Sequence, residues 1–430
     1  MRLVLKESFS EPPRYIKLLA KLGIVILAAV FLLLPEILRE SSLLIGDEPY
    51  YHLSNAGNFS GVGAGWNFLL EYFHTDALLL IIGMLSLFFI FLNLKTLKLE
   101  ERLVAMGFFI VSPAFIHMFN LGERFGAAFL FSLIFFYFLF KNKHILSAVW
   151  LPAIFIFDHW TGLFSLFVSG LYMLYVKNAK KIFYSLLGVF ILLVLIVGGV
   201  KDGITSDLGA KIGSSVFALF FAALCFLFLW NKKKFLYLYG IATLLFLFSL
   251  KVYFGIFYFS LFLSILMSIC LFELLRIKWE STLARDLILL IIVCGLLFSG
   301  LSYTNRISKA KPDDSIFNAL NRLPDDAVVF SDLESGNWIT YDGKQAVWHS
   351  MMSRKELDIV REDFSSVLDS KDYTGTINIL EKYKVDYILV DDELKQEWQE
   401  SGLIYIMRYN SEDFRLLFEI DGVEIWRFFK

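Results

Sequence analysis

From Tyr15 to Tyr303 the chain is a succession of apolar stretches broken by short charged connections. A bilayer core of about 30 Å is crossed by roughly 20 apolar residues in a helix. Every backbone N–H and C=O in such a stretch must be satisfied inside it, so helices follow. The spacing predicts eleven spans: Tyr15 to Leu38, Ala77 to Leu94, Leu103 to Phe119, Phe125 to Phe140, Ile145 to Phe157, Trp160 to Val176, Ile182 to Val200, Ile212 to Trp230, Phe235 to Leu250, Val252 to Leu275 and Leu287 to Tyr303. The first is too long for the apolar core of a cleavable signal, and Pro35 and charges follow it where small residues would mark a cleavage site. A hydrophobic content of 57% agrees with a polytopic membrane protein and excludes a chain soluble throughout.

The basic residues orient these spans. Lys95, Lys98 and Arg102; Lys141 and Lys143; Lys177, Lys180 and Lys181; Lys232 to Lys234; and Arg276, Lys278 and Arg285 fall in alternate loops, on the side of the basic N-terminus. The positive-inside rule makes that side cytoplasmic. The remaining loops and the segment after the last span then face outward, which gives a multi-pass cell-membrane protein with an extracytoplasmic C-terminal domain.

Residues 1–304 are thus expected to form a helical bundle, and 305–430 a small α/β domain. The composition changes near Pro312: the net charge is +10 up to that residue and −12 beyond it. No basic aromatic face accompanies the positive part, so nucleic acid is excluded as a partner. Asp314 to Arg322, Arg354 to Leu368 and Thr374 to Tyr383 read as helices; Ala327 to Ser331, Gln345 to His349 and Val385 to Val390 read as strands. Phe414 to Phe429 alternates apolar and polar residues around Asp421-Gly422, a favoured hairpin turn. Interleaved helices and strands imply a mixed sheet covered by helices.

Cys225, Cys270 and Cys294 lie in apolar runs without metal-ligand spacing, so neither a disulfide framework nor a zinc site is expected. The polar groups that carry chemistry gather in the outward connections. The first contains Gly46-Asp47-Glu48-Pro49-Tyr50-Tyr51-His52, where paired carboxylates beside a histidine suit a hard divalent cation or the activation of an acceptor hydroxyl. A solvated turn is the structural alternative. Glu123 and Arg124 follow Gly122, Asp158 and His159 form nearly a whole turn, and Lys251 sits in another minimal connection. Ionisable groups at that depth are costly and line a cavity or pair with one another. His52, His74 and His117 taken singly read as packed or hydrogen-bonded residues, and Trp160 as an interfacial anchor. No phosphate-binding glycine loop or hydrolase triad order is present, which turns attention from nucleotides to a donor carried on lipid.

This layout resembles the GT-C superfamily of membrane glycosyltransferases. Asp47-Glu48-Pro49-Tyr50-Tyr51-His52 is similar to the first-loop acidic motif of archaeal oligosaccharyltransferase catalytic subunits. Leu323-Pro324-Asp325-Asp326-Ala327-Val328-Val329 and Tyr383-Lys384-Val385-Asp386-Tyr387-Ile388-Leu389-Val390 resemble segments flanking their signature region. Those subunits carry Trp-Trp-Asp-Tyr-Gly, which reads the hydroxyl residue of a glycosylation sequon. The corresponding stretch here is Ser331-Asp332-Leu333-Glu334-Ser335-Gly336-Asn337-Trp338, without the leading tryptophans or the tyrosine.

The resemblance implies transfer of a sugar from a polyprenyl phosphate or diphosphate to a lipid, glycan or protein acceptor at the outer face. In that frame Asp47 and Glu48 are catalytic, and Asp47, Glu123 and Asp158 hold a divalent metal such as Mg or Mn. Arg124, Lys251, His52 and His159 bind substrate, the two cations on the phosphate. The competing expectation is a transporter or flippase of lipid-linked sugar, which would carry its ionisable groups near the midplane of broken helices in an inverted repeat. No such repeat is visible.

Overall fold

A computed structural model describes residues 13–39, 41, 43–57, 63–73, 75–176, 205–208, 210–229, 236–276, 279–352, 354–369, 372–398, 402–410 and 412–429. The predicted span Ile182 to Val200, together with His74, Lys201 and Asp202, lies outside the described residues. Two compact units emerge: Met1–Arg39, Phe59–Trp66 and Phe73–Lys309 form one, and Glu40–Asn58, Asn67–Tyr72 and Ala310–Lys430 the other. The segment read as a first outward loop thus divides between them, and most of it, Asp47 included, folds with the C-terminal residues.

The first unit is helical and apolar, as a membrane protein requires. Among the described residues, three helices are long and apolar enough to cross a bilayer, or up to five if each bent pair counts as one span. These three are Arg14–Arg39, Gly255–Arg276 and Thr282–Ser308. Gly255–Arg276 has 72% of its apolar window buried and Arg14–Arg39 only 22%, which makes the former a central helix and the latter a peripheral one with Leu18, Leu22 and Ile26 turned outward. Phe125–Phe140, His144–Phe157, Val216–Phe228 and Tyr239–Lys251 are shorter apolar helices.

Two predicted boundaries are corrected. The span Leu103 to Phe119 is two helices, Leu99–Ile110 and Pro113–Asn120, bent by 65°. Pro113 has no N–H to donate and would clash with the carbonyl four residues back, so it starts a new helix. Ser112 caps that start, its Oγ accepting from Phe115 N at 3.2 Å. The helix expected from Ile212 begins at Val216, because Ser206–Leu208 forms a 3-10 turn and Asp207 Oδ2 accepts from Val216 N at 2.7 Å.

The second unit carries a five-stranded mixed sheet of β1 (Val328–Phe330), β2 (Gln345–Ala346), β3 (Tyr387–Val390), β4 (Phe414–Ile420) and β5 (Val423–Phe428) in the order β2-β1-β3-β5-β4. β1 runs parallel to β2 and β3; β5 runs antiparallel to β3 and β4. The predicted hairpin closes on Asp421 and Gly422 at φ 44° and 88°, the two positive values a two-residue turn of this kind needs. Successive strand residues point to opposite faces. Phe330, Ile388 and Val390 therefore enter one core, with Val367, Leu380 and Met407 from helices Arg354–Asp369, Tyr373–Lys382 and Gly402–Tyr409. Val329, Leu389 and Ile425 enter the other, with Ile316, Trp338 and Tyr50.

The sequence missed the helices Ser335–Tyr341, Asp392–Trp398 and Gly402–Tyr409, and also Glu48–Ser54 and Ala64–Tyr72 within the supposed loop. At seven to nine residues each, they are too short for a periodic pattern to stand out. The predicted strand Gln345 to His349 shrinks to two residues, because Trp348 turns inward and spends its Nε1–H on Ser331 O at 2.7 Å.

Candidate functional site

In the helical unit the polar residues meet at the start of Phe125–Phe140. Pro113–Asn120 ends at Leu121, and Gly122 presents its carbonyl to Trp66 Nε1 at 2.8 Å. Glu123 follows, only 6% exposed in an otherwise apolar unit. Its Oε1 accepts from the Tyr253 hydroxyl at 2.8 Å and lies 3.5 Å from His117 Nε2. Its Oε2 is buried and has no hydrogen-bond partner among the described residues. His117 bridges two tyrosines: Nδ1 is 2.8 Å from Tyr303 Oη and Nε2 is 2.6 Å from Tyr253 Oη. The Tyr303 hydroxyl donates to Lys211 O at 2.8 Å, so it accepts from His117 Nδ1–H. The Tyr253 hydroxyl, which donates to Glu123 Oε1, thus links the acid to the His117 ring.

Arg124 and Asp158 form the second pair, Nε to Oδ1 at 3.8 Å, and the guanidinium also lies 4.7 Å from the Phe125 ring centre. Asp158 is 3% exposed and caps His159–Val176, its Oδ2 accepting from Thr161 N and Thr161 Oγ1, both at 2.7 Å. One oxygen of Asp158 is thus committed to the helix cap, and the other faces Arg124. His159 is exposed, its ring against Trp160 at 5.2 Å. Lys251 is the last residue of Leu236–Lys251, half-buried and two residues before Tyr253.

In the second unit Asp47 precedes the helix Glu48–Ser54, with Pro49 in its first turn. Its carboxylate does not cap that helix. Oδ2 accepts instead from Asn337 Nδ2 at 3.1 Å and from the Ser350 hydroxyl. Trp338 Nε1 donates to Gly46 O at 3.1 Å, and Gly46 N donates to Lys311 O at 2.8 Å. Glu48 Oε1 lies 3.2 Å from His52 Nε2, and His52 Nδ1 lies 2.6 Å from Asn67 Oδ1. His52 is fully buried and holds two parts of the first segment together, as the packed reading expected. Asp332 is half-buried, and desolvation pushes its pKa up to about 6 despite the bond it accepts from Ser335 N at 2.6 Å; the charge of Asp391 adds to the rise.

The structure thus brings Glu123, Arg124 and Asp158 together in one unit, with Lys251 close in sequence to the tyrosine that holds Glu123. Asp47, Glu48 and His52 belong to the other unit. The residues missed by sequence are Tyr253 and Tyr303, ordinary tyrosines in apolar runs, and Asn337 and Ser350, which have no spacing relation to Asp47. Among the described residues no group of three or more His, Cys, Asp or Glu side chains is placed to hold a metal ion. Glu123 Oε2 is one open carboxylate oxygen, which suits a hard cation as a single ligand.

No family model matches the sequence, and no curated protein matches it. Solved structures do. The apo crystal structure of an oligosaccharyltransferase from Archaeoglobus fulgidus aligns with a TM-score of 0.55 at 11% identity, covering 89% of this chain and 70% of that one. The same enzyme tethered to an acceptor peptide containing the NVT sequon aligns with a TM-score of 0.53 at 11% identity, over 97% of this chain and 74% of that one. The archaeal oligosaccharyltransferase AglB from Archaeoglobus fulgidus, in complex with an inhibitory peptide and a dolichol-phosphate, aligns with a TM-score of 0.50 at 12% identity, over 97% and 75%. The chain is therefore a mostly helical membrane protein with an oligosaccharyltransferase-like fold and a small sheet-bearing unit at its C-terminal end.

Proposed function

We propose that this protein is a GT-C glycosyltransferase that moves a sugar from a polyprenyl phosphate or diphosphate to an acceptor at the outer membrane face. The observation that carries the reading is the pair of buried contacts between ionisable groups in the apolar unit, Glu123 with His117 and Arg124 with Asp158. Ionisable groups buried in a membrane bundle are expensive and mark sites where a charged substrate is handled. The fold adds to this, since the AglB structure of similar fold holds a dolichol-phosphate. A shared fold alone does not transfer an activity.

In this reading the acceptor attacks the anomeric carbon, the bond from that carbon to the phosphate oxygen breaks, and the phosphate leaves with the electron pair. The acceptor proton passes to Asp47, with Glu48 beside it. Arg124 and Lys251 stabilise the charge that grows on the phosphate, a task for which preorganised cations in a dry site are suited. His159 completes the substrate contacts, and His52, expected on sequence to bind substrate, serves the site only by holding Glu48. Asp47, Glu123 and Asp158 are the carboxylates that the family resemblance assigns to a Mg or Mn ion, which would supply Lewis-acid stabilisation of the leaving group. Glu123 Oε2 favours this; no three-acid group occurs among the described residues, and no step above is routed through the ion. Eleven spans, a cytoplasmic N-terminus and an extracytoplasmic C-terminal unit complete the reading. Cysteine labelling from either side of sealed vesicles at Asn58 and Asp421 tests that placement.

The test of function is incubation of the reconstituted protein with a panel of polyprenyl-linked sugars, with and without chelator, and with lipid, glycan and sequon-peptide acceptors. Mass analysis should find free carrier and a new glycoconjugate in equal amounts, and Asp47→Asn should lower turnover by about 100-fold or more. Movement of an intact lipid-linked sugar across the bilayer, with no sugar transferred to any acceptor, would replace the transferase by a flippase.

A further inference from the structure

We infer that Asn337 and Ser350 are positioning residues for Asp47, and that the short helix Ser335–Tyr341 exists to hold that carboxylate in one orientation. This rests on the proposed role of Asp47. Both donors converge on a single oxygen, Oδ2, and Asn337 Nδ2 also lies 2.9 Å from Ser350 Oγ, so the three groups form a closed triangle. Asn337 is 1% exposed, and a buried side-chain amide is retained where its bonds are made. The backbone on either side of Asp47 is fixed as well, by Trp338 on Gly46 O and by Lys311 O on Gly46 N.

Local sequence supports this use of the helix. A Cβ on Gly336 would lie 1.9 Å from Trp348 O and 2.9 Å from His349 Cα. Only glycine allows the helix to press against the strand of chain that carries Ser350, which brings Asn337 and Ser350 to the same carboxylate. Tyr51 stacks near the His349 ring at 5.7 Å, and Tyr50 packs against Phe317 and Tyr341, so the helix after Asp47 is bound to the same elements. Asn337 and Ser350 on Asp47, and Trp338 on Gly46, thus act from 290 to 303 residues further along the chain. Neutral donors orient a carboxylate without themselves adding a charge beside it. A lysine or arginine in their place would quench it.

The test compares Asn337→Ala, Ser350→Ala and the double variant with the full-length wild type, and uses Ser350→Thr, which keeps the hydroxyl, as the conservative control. The two single variants should lower kcat about 10-fold each, with the KM for lipid donor within 2-fold of wild type, and Ser350→Thr should restore most of the loss. Independently of any activity, each protein is labelled with a carbodiimide at pH 7 and its modified carboxylates are quantified by mass spectrometry. Asp47 modification should rise several-fold in the double variant, while Asp313 and Asp363 of the same unit keep their wild-type extent. Unchanged Asp47 labelling overturns the inference, and so does a rise shared equally by Asp313 and Asp363, which marks general loosening. A wild type without transferase activity removes the proposed function, and the labelling then decides the positioning role by itself.

Discussion

The two units hold their candidate site acids differently. In the apolar unit, acids meet nitrogen bases: Glu123 faces the His117 ring and Asp158 faces the Arg124 guanidinium. In the C-terminal unit Asp47 is held by an amide and a hydroxyl, although other buried acids there do meet lysines, Asp391 with Lys311 and Asp342 with Lys344. The difference follows from the solvent. A lone charge among lipid-facing helices has no water to fall back on, so charge must be balanced within the protein. In the C-terminal unit the two hydrogen bonds to Asp47 Oδ2 set its direction. The first arrangement suits the holding of a phosphate, the second the aiming of a base.

The largest effect that would sharpen this contrast comes from Arg124→Leu. It strands Asp158 in an apolar surrounding and should cost on the order of 3 kcal/mol in thermal unfolding of the purified protein. The double variant Arg124→Leu with Asp158→Asn should recover most of that. A single variant no worse than the double would mean that the pair is not a charge-balancing device. In the other unit Gly336→Ala forces a Cβ into the Trp348 carbonyl and should destabilise by about 2 kcal/mol, read in the melting of that unit.

A pH titration separates the units further. Asp332 keeps its proton in the folded state up to about pH 6, against an ordinary value of 3.8. Between these values the folded chain binds more protons than the unfolded one, so its contribution falls as pH rises through the window. Stability of the C-terminal unit should therefore lose on the order of 2 kcal/mol from this group between pH 4 and 6. Asp332→Asn should flatten that slope; a slope unaltered by the substitution would place its origin elsewhere. Asp363 opposes the trend: burial raises its pKa, but hydrogen bonds from Lys382 and Tyr383 outweigh this and lower it. The stability that Asp363 contributes is present above its unfolded value and is lost as pH falls through the depressed one. The smallest effect expected is that of Trp66→Phe, which removes one bond to Gly122 O and should cost about 1 kcal/mol, visible as a modest drop in melting temperature of the helical unit.

Much of the architecture was legible because it is periodic. The Asp-Gly hairpin, the strands around Val329 and Ile388 and the helix Arg354–Asp369 fall where alternation and helical spacing put them. Long apolar runs gave the helical unit its class. What periodicity lacks is length in short elements, so the helices Glu48–Ser54 and Ser335–Tyr341 passed as loop. The candidate site was legible in half. Glu123, Arg124 and Asp158 stood out because charge is conspicuous in an apolar run, whereas Tyr253 and Asn337 did not, since neither residue type is unusual where it stands.

By itself the sequence determined the class of each part: apolar runs with no place for unpaired backbone groups form helices, and the stretch of net charge −12 beyond Pro312, with its alternating strands, forms a sheet-bearing unit. Only the tertiary structure decided which polar groups share a bond. Asp47 meets Asn337 and Ser350, and Glu123 meets Tyr253, across hundreds of residues or more than a hundred, and no local pattern records a contact made by packing rather than by spacing.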